Sequence, residues 1–122
     1  MNPSHPAFHD EEAARELLES ARWPTAPTCA HCGSHNVHRM RGVSHAPGML
    51  YCRECRKKFT VTVGTIFEGS HQPLTIWIRA MWIMASHPEG VRSPQLSKAL
   101  GLNYEAAWAI EHRLRAAMAS QD

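Results

Sequence analysis

The sequence predicts a small α+β protein with an N-terminal helix, a module of short antiparallel strands held together by cysteines, and three C-terminal helices. Three observations support this fold class. All four cysteines of the 122-residue chain occur in two Cys-x-x-Cys pairs. Short runs rich in β-branched and aromatic residues lie between and after the pairs, as is typical of strands. Beyond Pro73, apolar residues recur at helical spacing, interrupted by Pro and Gly.

The cysteine pairs predict a metal site. Nineteen residues separate Cys32 of the first pair from Cys52 of the second, a spacing typical of a zinc ribbon. We therefore predict one structural Zn²⁺ with four thiolate ligands and no open position for catalysis. The ligands are Cys29, Cys32, Cys52 and Cys55. Disulfides and a redox-active pair are alternatives, and a nearby histidine could replace a thiolate: His31, His35, His38 or His45.

Charge is distributed unevenly along the chain, although the net charge is only +2. Residues 25–70 carry six basic and two acidic side chains, whereas residues 1–24 carry two basic and five acidic ones. A basic excess on one module favours a polyanionic partner, and a merely solubilising surface is the alternative. We expect three segments: an arm and helix in 1–24, the zinc ribbon in 25–70, and a helical domain in 71–122.

Local signals give the elements of the first two segments. Asp10 is suited to cap a helix that runs to about Arg22. In the ribbon we predict strands at residues 36–41 and from residue 49, and the clearest strand at 59–63, where β-branched residues alternate. Gly33, directly after Cys32, is expected to supply a positive φ in the first cysteine turn.

The C-terminal segment predicts three helices. The first covers residues 74–87, with Pro73 in its first turn, and its nearly all-round apolar surface indicates burial. Ser93 is expected to cap the second helix, which Gly101 ends, and Asn103 to cap a third helix that reaches about residue 119. A short helix, a tight glycine turn and a longer helix form a helix-turn-helix pattern, which favours DNA binding. An ordinary three-helix bundle is the alternative.

Several motifs together resemble a known family. They are Arg22-Trp23-Pro24, the Cys-x-x-Cys-Gly turn, the run 51–68, the pattern Ser93-x-Gln-Leu-x-x-x-Leu-Gly-Leu, Ala107-Trp108 and His112-Arg-Leu-Arg115. Over residues 8–118 the chain resembles the N-terminal region of bacterial insertion-sequence transposases that begin with a zinc ribbon. Ala30 departs from the proline that this family usually has in the first cysteine turn.

The resemblance implies binding to double-stranded DNA at transposon ends. In such transposases a DDE-type nuclease domain follows this region. Since the chain stops at Asp122, we expect no catalytic residues and no enzymatic activity, and a role as an end-recognition module or a free-standing transcription regulator. The alternative is an adaptor or transcription accessory protein that docks on a machine such as RNA polymerase. No apolar run spans a bilayer, so we expect a cytoplasmic, nucleoid-associated protein.

The candidate DNA contacts fall into two groups. On the helical segment, the start and outward face of the third helix are expected to reach bases or phosphates, and the residues around the second helix to clamp phosphates. These are Arg92, Ser93, Lys98, Asn103, Tyr104, Glu105, Trp108, His112, Arg113 and Arg115. On the ribbon, basic side chains are expected to add affinity that does not depend on sequence. These are Arg39, Arg41, Arg53, Arg56, Lys57 and Lys58. We also expect the helix that carries Trp77 and Trp82 to be core, with part of its face available for self-association or a protein partner.

Overall fold

The computed structural model describes residues 4–42 and 44–119, and confirms the small α+β fold. Residues 1–3 of the predicted arm, residue 43 of the ribbon and residues 120–122 of the third segment lie outside this description. The described elements, in chain order, are a 3-10 helix Pro6–Phe8, α1 Glu11–Arg22, β1 Val37–Arg39, β2 Leu50–Cys52, β3 Lys58–Phe59, α2 Leu74–Ala85, α3 Ser93–Leu100 and α4 Tyr104–Ala119.

The three strands form one antiparallel sheet in the order β1-β2-β3. Val37 lies opposite Cys52, and Leu50 lies opposite Phe59. The strands are only two or three residues long, so the sheet alone buries little surface. Its inner face packs with Trp23, whose ring meets Phe59 edge to face at a centroid distance of 6.0 Å.

The strand predicted at residues 59–63 is wrong beyond Phe59, where the chain turns instead. The backbone N–H of Val63 donates to the carbonyl of Thr60 at 3.2 Å, which closes a tight turn. Nη1 of Arg22 donates to the carbonyls of Val61 and Val63, at 2.7 and 2.6 Å. One guanidinium therefore satisfies the carbonyls that a neighbouring strand would have bonded, and tertiary contact overrides the β propensity of this run.

Helix α1 begins as predicted and connects the two halves of the protein. The Asp10 carboxylate accepts a hydrogen bond from the N–H of Glu12 at 3.0 Å. Toward the ribbon, α1 packs through Leu18 against the cluster that contains Trp23. On its other side, Ala14 is fully buried against Ile78 of α2.

Helix α2 begins and ends differently from the prediction. Pro73 is its N-cap rather than a residue of its first turn, and the helix ends at Ala85 rather than near residue 87. The Glu11 carboxylate accepts hydrogen bonds from the N–H groups of Leu74 and Thr75, at 2.8 and 3.1 Å. A side chain from α1 thus caps α2, a contact between residues 63 and 64 positions apart that no local pattern indicates.

The three C-terminal helices surround a second core. Trp77, Leu96, Ile110 and Leu114 are buried there. Trp82 is only partly buried, and its ring contacts Phe8 at a centroid distance of 5.8 Å. The predicted burial of α2 is thus confirmed for Trp77 and is partial for Trp82. Among the helices that the structure describes, none has the length and apolarity to cross a lipid bilayer.

Helix α3 ends as predicted, at the turn before α4, but begins differently from the prediction. Gly101 ends α3 with φ of 70°, and Oδ1 of Asn103 accepts the N–H of Ala106 at 2.8 Å, as a cap does. At the other end, Arg92 is the N-cap of α3 and its N–H donates to Oε1 of Gln95 at 3.0 Å. The predicted capping role of Ser93 is therefore wrong, because Ser93 is the first residue of the helix and is buried.

Candidate metal centre and nucleic-acid interface

The four cysteines converge as a metal site requires. Their sulfur atoms all lie within 4.8 Å of one another, and the Sγ atoms of Cys29 and Cys55, like those of Cys32 and Cys52, are 3.6 Å apart. A tetrahedron with Zn–S bonds of about 2.3 Å has edges of about 3.8 Å, whereas a disulfide bond measures about 2.05 Å. The geometry therefore fits one Zn²⁺ and does not fit disulfides. This zinc-ribbon domain has the ligands to bind one zinc ion.

The two cysteine turns have the same backbone geometry. The N–H of Gly33 donates to the carbonyl of Cys29, and the N–H of Arg56 donates to the carbonyl of Cys52, both at 2.9 Å. Both donors have a positive φ, 79° at Gly33 and 61° at Arg56. The prediction for Gly33 is confirmed. Its counterpart was missed, because an arginine carries no sequence signal for a left-handed conformation.

Backbone N–H groups prepare one thiol of the first turn for ionisation. Burial works to raise the pKa of Cys29, but the N–H groups of Cys32 and His31, 3.4 and 3.3 Å from its sulfur, lower that pKa to about 6. Burial and the neighbouring sulfur atoms raise the pKa of Cys55 to about 12. Zinc binding requires that all four thiols lose their protons, since only thiolates ligate the metal.

Histidines do not join this cluster. Among the described residues, the group of side chains close enough to share a metal ion consists of the four cysteines. The nearest sequence neighbour, His31, has its Nε2 at 3.1 Å from the carbonyl oxygen of Lys58. Its ring also meets Phe59 edge to face. The alternative of a histidine ligand therefore finds no support in the structure.

The basic side chains of the ribbon differ in their environment. Exposed cations surround the second cysteine turn: Arg53, Arg56, Lys57 and Lys58. Arg41 is also exposed. Arg39 instead forms an ion pair with Glu19 of α1 through both guanidinium nitrogens, and this contact raises the pKa of Arg39. Its charge is therefore already neutralised within the protein.

A groove of about 630 Å³ runs along the outward face of α4. Tyr104, Trp108, His112 and Arg115 line one side, at spacings of four, four and three residues, so that they form one stripe of the helix. The loop before α3 lines the other side and contributes Arg92. The structure thus brings five of the predicted contact residues together on one surface.

Other predicted residues lie away from this groove. Lys98 is exposed on α3. Nη1 of Arg113 donates to the carbonyl of Ile66 at 3.2 Å, which connects α4 to the segment after the ribbon. Asn103 and Glu105 are exposed at the start of α4. These positions belong to the edges of the helical unit and not to the stripe.

The floor of the groove holds a buried carboxylate that sequence reasoning missed. Glu111 is only 6% exposed, and its Oε2 accepts a hydrogen bond from Oγ of Ser93 at 3.1 Å. Ser93 itself is 3% exposed, so little of it is accessible for the phosphate contact predicted from the sequence. Arg115 lies 3.6 Å from Glu111 and donates to the carbonyl of Val91 at 3.0 Å. The sequence did offer a signal for this burial, because Glu111 adjoins the inward apolar face of α4 that Ala107, Ile110 and Leu114 form.

Comparisons with known proteins agree with this architecture. Residues 9–58 match the family model described as a transposase zinc-ribbon domain, a stretch that covers α1, β1, β2 and the first residue of β3. The resemblance of the ribbon region to that of insertion-sequence transposases is thereby confirmed.

One curated relative extends the similarity beyond the ribbon. It is an uncharacterised protein in transposable element ISH50 of Halobacterium salinarum, 27% identical over 110 residues that cover 89% of this chain. The chain spans 36% of the length of that relative. No solved structure matches the chain.

Proposed function

We propose that this protein binds double-stranded DNA, with α3 and α4 acting as a helix-turn-helix unit and α4 lying in the major groove. The observation that carries the proposal is the exposed stripe of α4, Tyr104, Trp108 and His112, beside Arg92 on a single groove. Helix-turn-helix proteins use the outward face of their second helix in this way, with its first turns against the base edges.

The dimensions of the helical unit suit this arrangement. Helix α4 has 16 residues and is therefore about 24 Å long. The major groove of B-DNA is about 12 Å wide and admits one α-helix. The first two turns of α4, from Tyr104 to about residue 111, would lie within the groove, and its C-terminal half would extend past the phosphates. Gly101 forms the tight turn between the two helices, which would place α3 across the sugar-phosphate backbone of the DNA.

We assign the exposed cations to phosphate contacts. Arg92 precedes α3, and Lys98 is exposed in its last turn. Arg113 lies on the edge of α4, where it bonds to Ile66 in the segment after the ribbon. The ribbon adds Arg41, Arg53, Arg56, Lys57 and Lys58. Such contacts give affinity without sequence preference, and each steepens the salt dependence by about one counterion. Arg39 contributes little in this proposal, because Glu19 already neutralises it.

The three segments would then have separate tasks. The ribbon would follow the phosphate backbone, α2–α4 would read the bases, and α1 would fix one relative to the other. The similarity to a protein in a transposable element supports the ends of such an element as the DNA site. The zinc would be structural in this proposal, because four thiolates fill a tetrahedral coordination shell.

Selection of bound sequences from random duplex DNA at two salt concentrations tests this function. We expect an enriched motif, and an affinity that falls steeply with salt. Lys57→Ala should weaken binding equally for all sequences and reduce the salt slope by about one. The matched control is Arg39→Ala, a cation of the same ribbon that is held by Glu19, which should leave the slope unchanged. Absence of any enriched sequence at either salt concentration would reject the proposal.

A further inference from the structure

The exposed face of α4 is apolar where base contact is expected. Among the residues that the structure describes, the exposed large hydrophobic side chains are Tyr104, Trp108 and Met118, which are 55%, 49% and 56% exposed. All three belong to α4. Tyr104 and Trp108 lie in its first five residues and four positions apart, on the same face of the helix. An exposed apolar patch rimmed by polar residues marks a binding surface.

Two polar side chains that could read bases, those of Arg115 and Asn103, make contacts within the protein. Nη2 of Arg115 donates to the carbonyl of Val91, which holds its guanidinium against the loop before α3. Arg115 also lies eleven residues from the start of α4, about 17 Å along the axis, which is beyond a groove about 12 Å wide. Recognition of adenine by asparagine requires the side-chain oxygen, and that of Asn103 accepts the N–H of Ala106.

His112 is also held within the protein. Its ring lies 4.0 Å from that of Trp108, centroid to centroid, at an interplanar angle of 80°. Its Nδ1 lies 3.7 Å from Oε2 of the buried Glu111. The rings of His112 and Trp108 therefore contact each other on the stripe. The stripe presents two aromatic rings, Tyr104 and Trp108, over the first two turns of α4.

We infer that Tyr104 and Trp108 recognise the 5-methyl groups of thymine in the major groove. This inference rests on the proposed DNA binding and names the feature that gives it sequence preference. Thymine is the one standard base with a methyl group on the major-groove edge, and apolar side chains are its ordinary partners. Burial of one methyl group against a ring changes affinity by about fourfold. Arg92 lies across the protein's own groove from these rings and would contact phosphates.

Substitution of thymine by uracil tests this inference, because it removes the methyl group and leaves base pairing unchanged. The probe is the duplex obtained by selection, prepared once with thymidine and once with deoxyuridine. We expect the affinity to fall about fourfold for each contacted methyl group. Trp108→Ala and Tyr104→Ala should each lower the ratio of the two affinities, and together they should bring it close to one. Met118→Ala, an equally exposed residue of α4 outside the reading surface, is the matched control and should retain the full ratio.

Three outcomes would overturn the inference. Equal affinity for both duplexes, with salt-dependent binding intact, would reject methyl recognition and leave the proposed function standing. Absence of binding to either duplex would reject both. If Trp108→Ala converts a dimer to a monomer in sedimentation while the uracil ratio persists, the stripe is an interface between two copies of the chain instead.

Discussion

The ribbon and the three C-terminal helices are stabilised by different means. The ribbon has strands of two or three residues, and two of its cysteines, Cys29 and Cys52, are part of its buried cluster. The helices bury larger apolar side chains, such as Trp77 and Leu96, against one another. Small modules with little core depend on a metal ion for much of their folding free energy. We therefore expect the ribbon to depend on its metal ion for folding, and the helices to depend on burial.

Helix α1 connects the two modules, because it packs against both the ribbon and α2. It contacts the ribbon through Leu18 and the Arg22 hydrogen bonds, and α2 through Ala14 and the Glu11 cap. A disturbance in one module can reach the other through these contacts, through the ion pair of Glu19 with Arg39, or along residues 60–73. Disturbing one module at a time tests how independent the two are.

Zinc removal should have the largest effect. Structural zinc sites contribute apparent binding free energies on the order of 10 kcal/mol, so a chelator should unfold the sheet while α2–α4 keep their helical signal. Amide resonances of a labelled sample would report each module separately. Cys52→Ser should have the same effect without a chelator. The comparison fails if ribbon resonances are unchanged after elemental analysis shows the metal to be gone.

Leu96→Ala should produce the opposite pattern. This side chain is fully buried among α2, α3 and α4, and its truncation should destabilise the helices by about 2–5 kcal/mol. Zinc content should stay at one ion per chain, because no cysteine contacts this core. Urea denaturation followed by circular dichroism measures the first effect, and elemental analysis the second. Lys98→Ala, on the exposed side of the same helix, is the control and should change stability by less than about 0.5 kcal/mol. Loss of zinc in Leu96→Ala would show that the modules fold as one unit.

The smallest expected effects come from substitutions of Arg56, which distinguish backbone strain from charge in the ribbon. Arg56 has φ of 61°, the only non-glycine residue with a positive φ in the described part of the chain, and the left-handed conformation costs about 1–2 kcal/mol. Arg56→Gly should therefore stabilise the ribbon by about 1 kcal/mol and lower the salt slope of DNA binding by about one. Arg56→Ala isolates the charge, because alanine keeps the backbone strain. If thermal denaturation shows that glycine and alanine are equally stable at this position, the strain is not significant.

The features that the sequence predicted correctly depend on near neighbours. The metal site followed from cysteine spacing, because a Cys-x-x-Cys turn brings two sulfur atoms together in any fold. Asp10, Gly101 and Asn103 are where local capping rules predicted them, since a cap bonds backbone groups within three residues. The limits of α1 and α4 followed from the same rules. These features involve little competition from distant residues.

The features that only the tertiary structure determined are contacts between residues far apart in the chain. Arg22 ends β3 early by bonding the carbonyls of residues 61 and 63, and Glu11 caps a helix that begins at Leu74. Ser93 lost its expected capping role to a buried contact with Glu111. In each case a charged side chain satisfied polar groups that the local pattern assigns elsewhere. The physical reason is that a buried polar group needs a hydrogen-bond partner, and the fold can supply that partner from a distant part of the chain. A local sequence pattern does not show which distant residues come together.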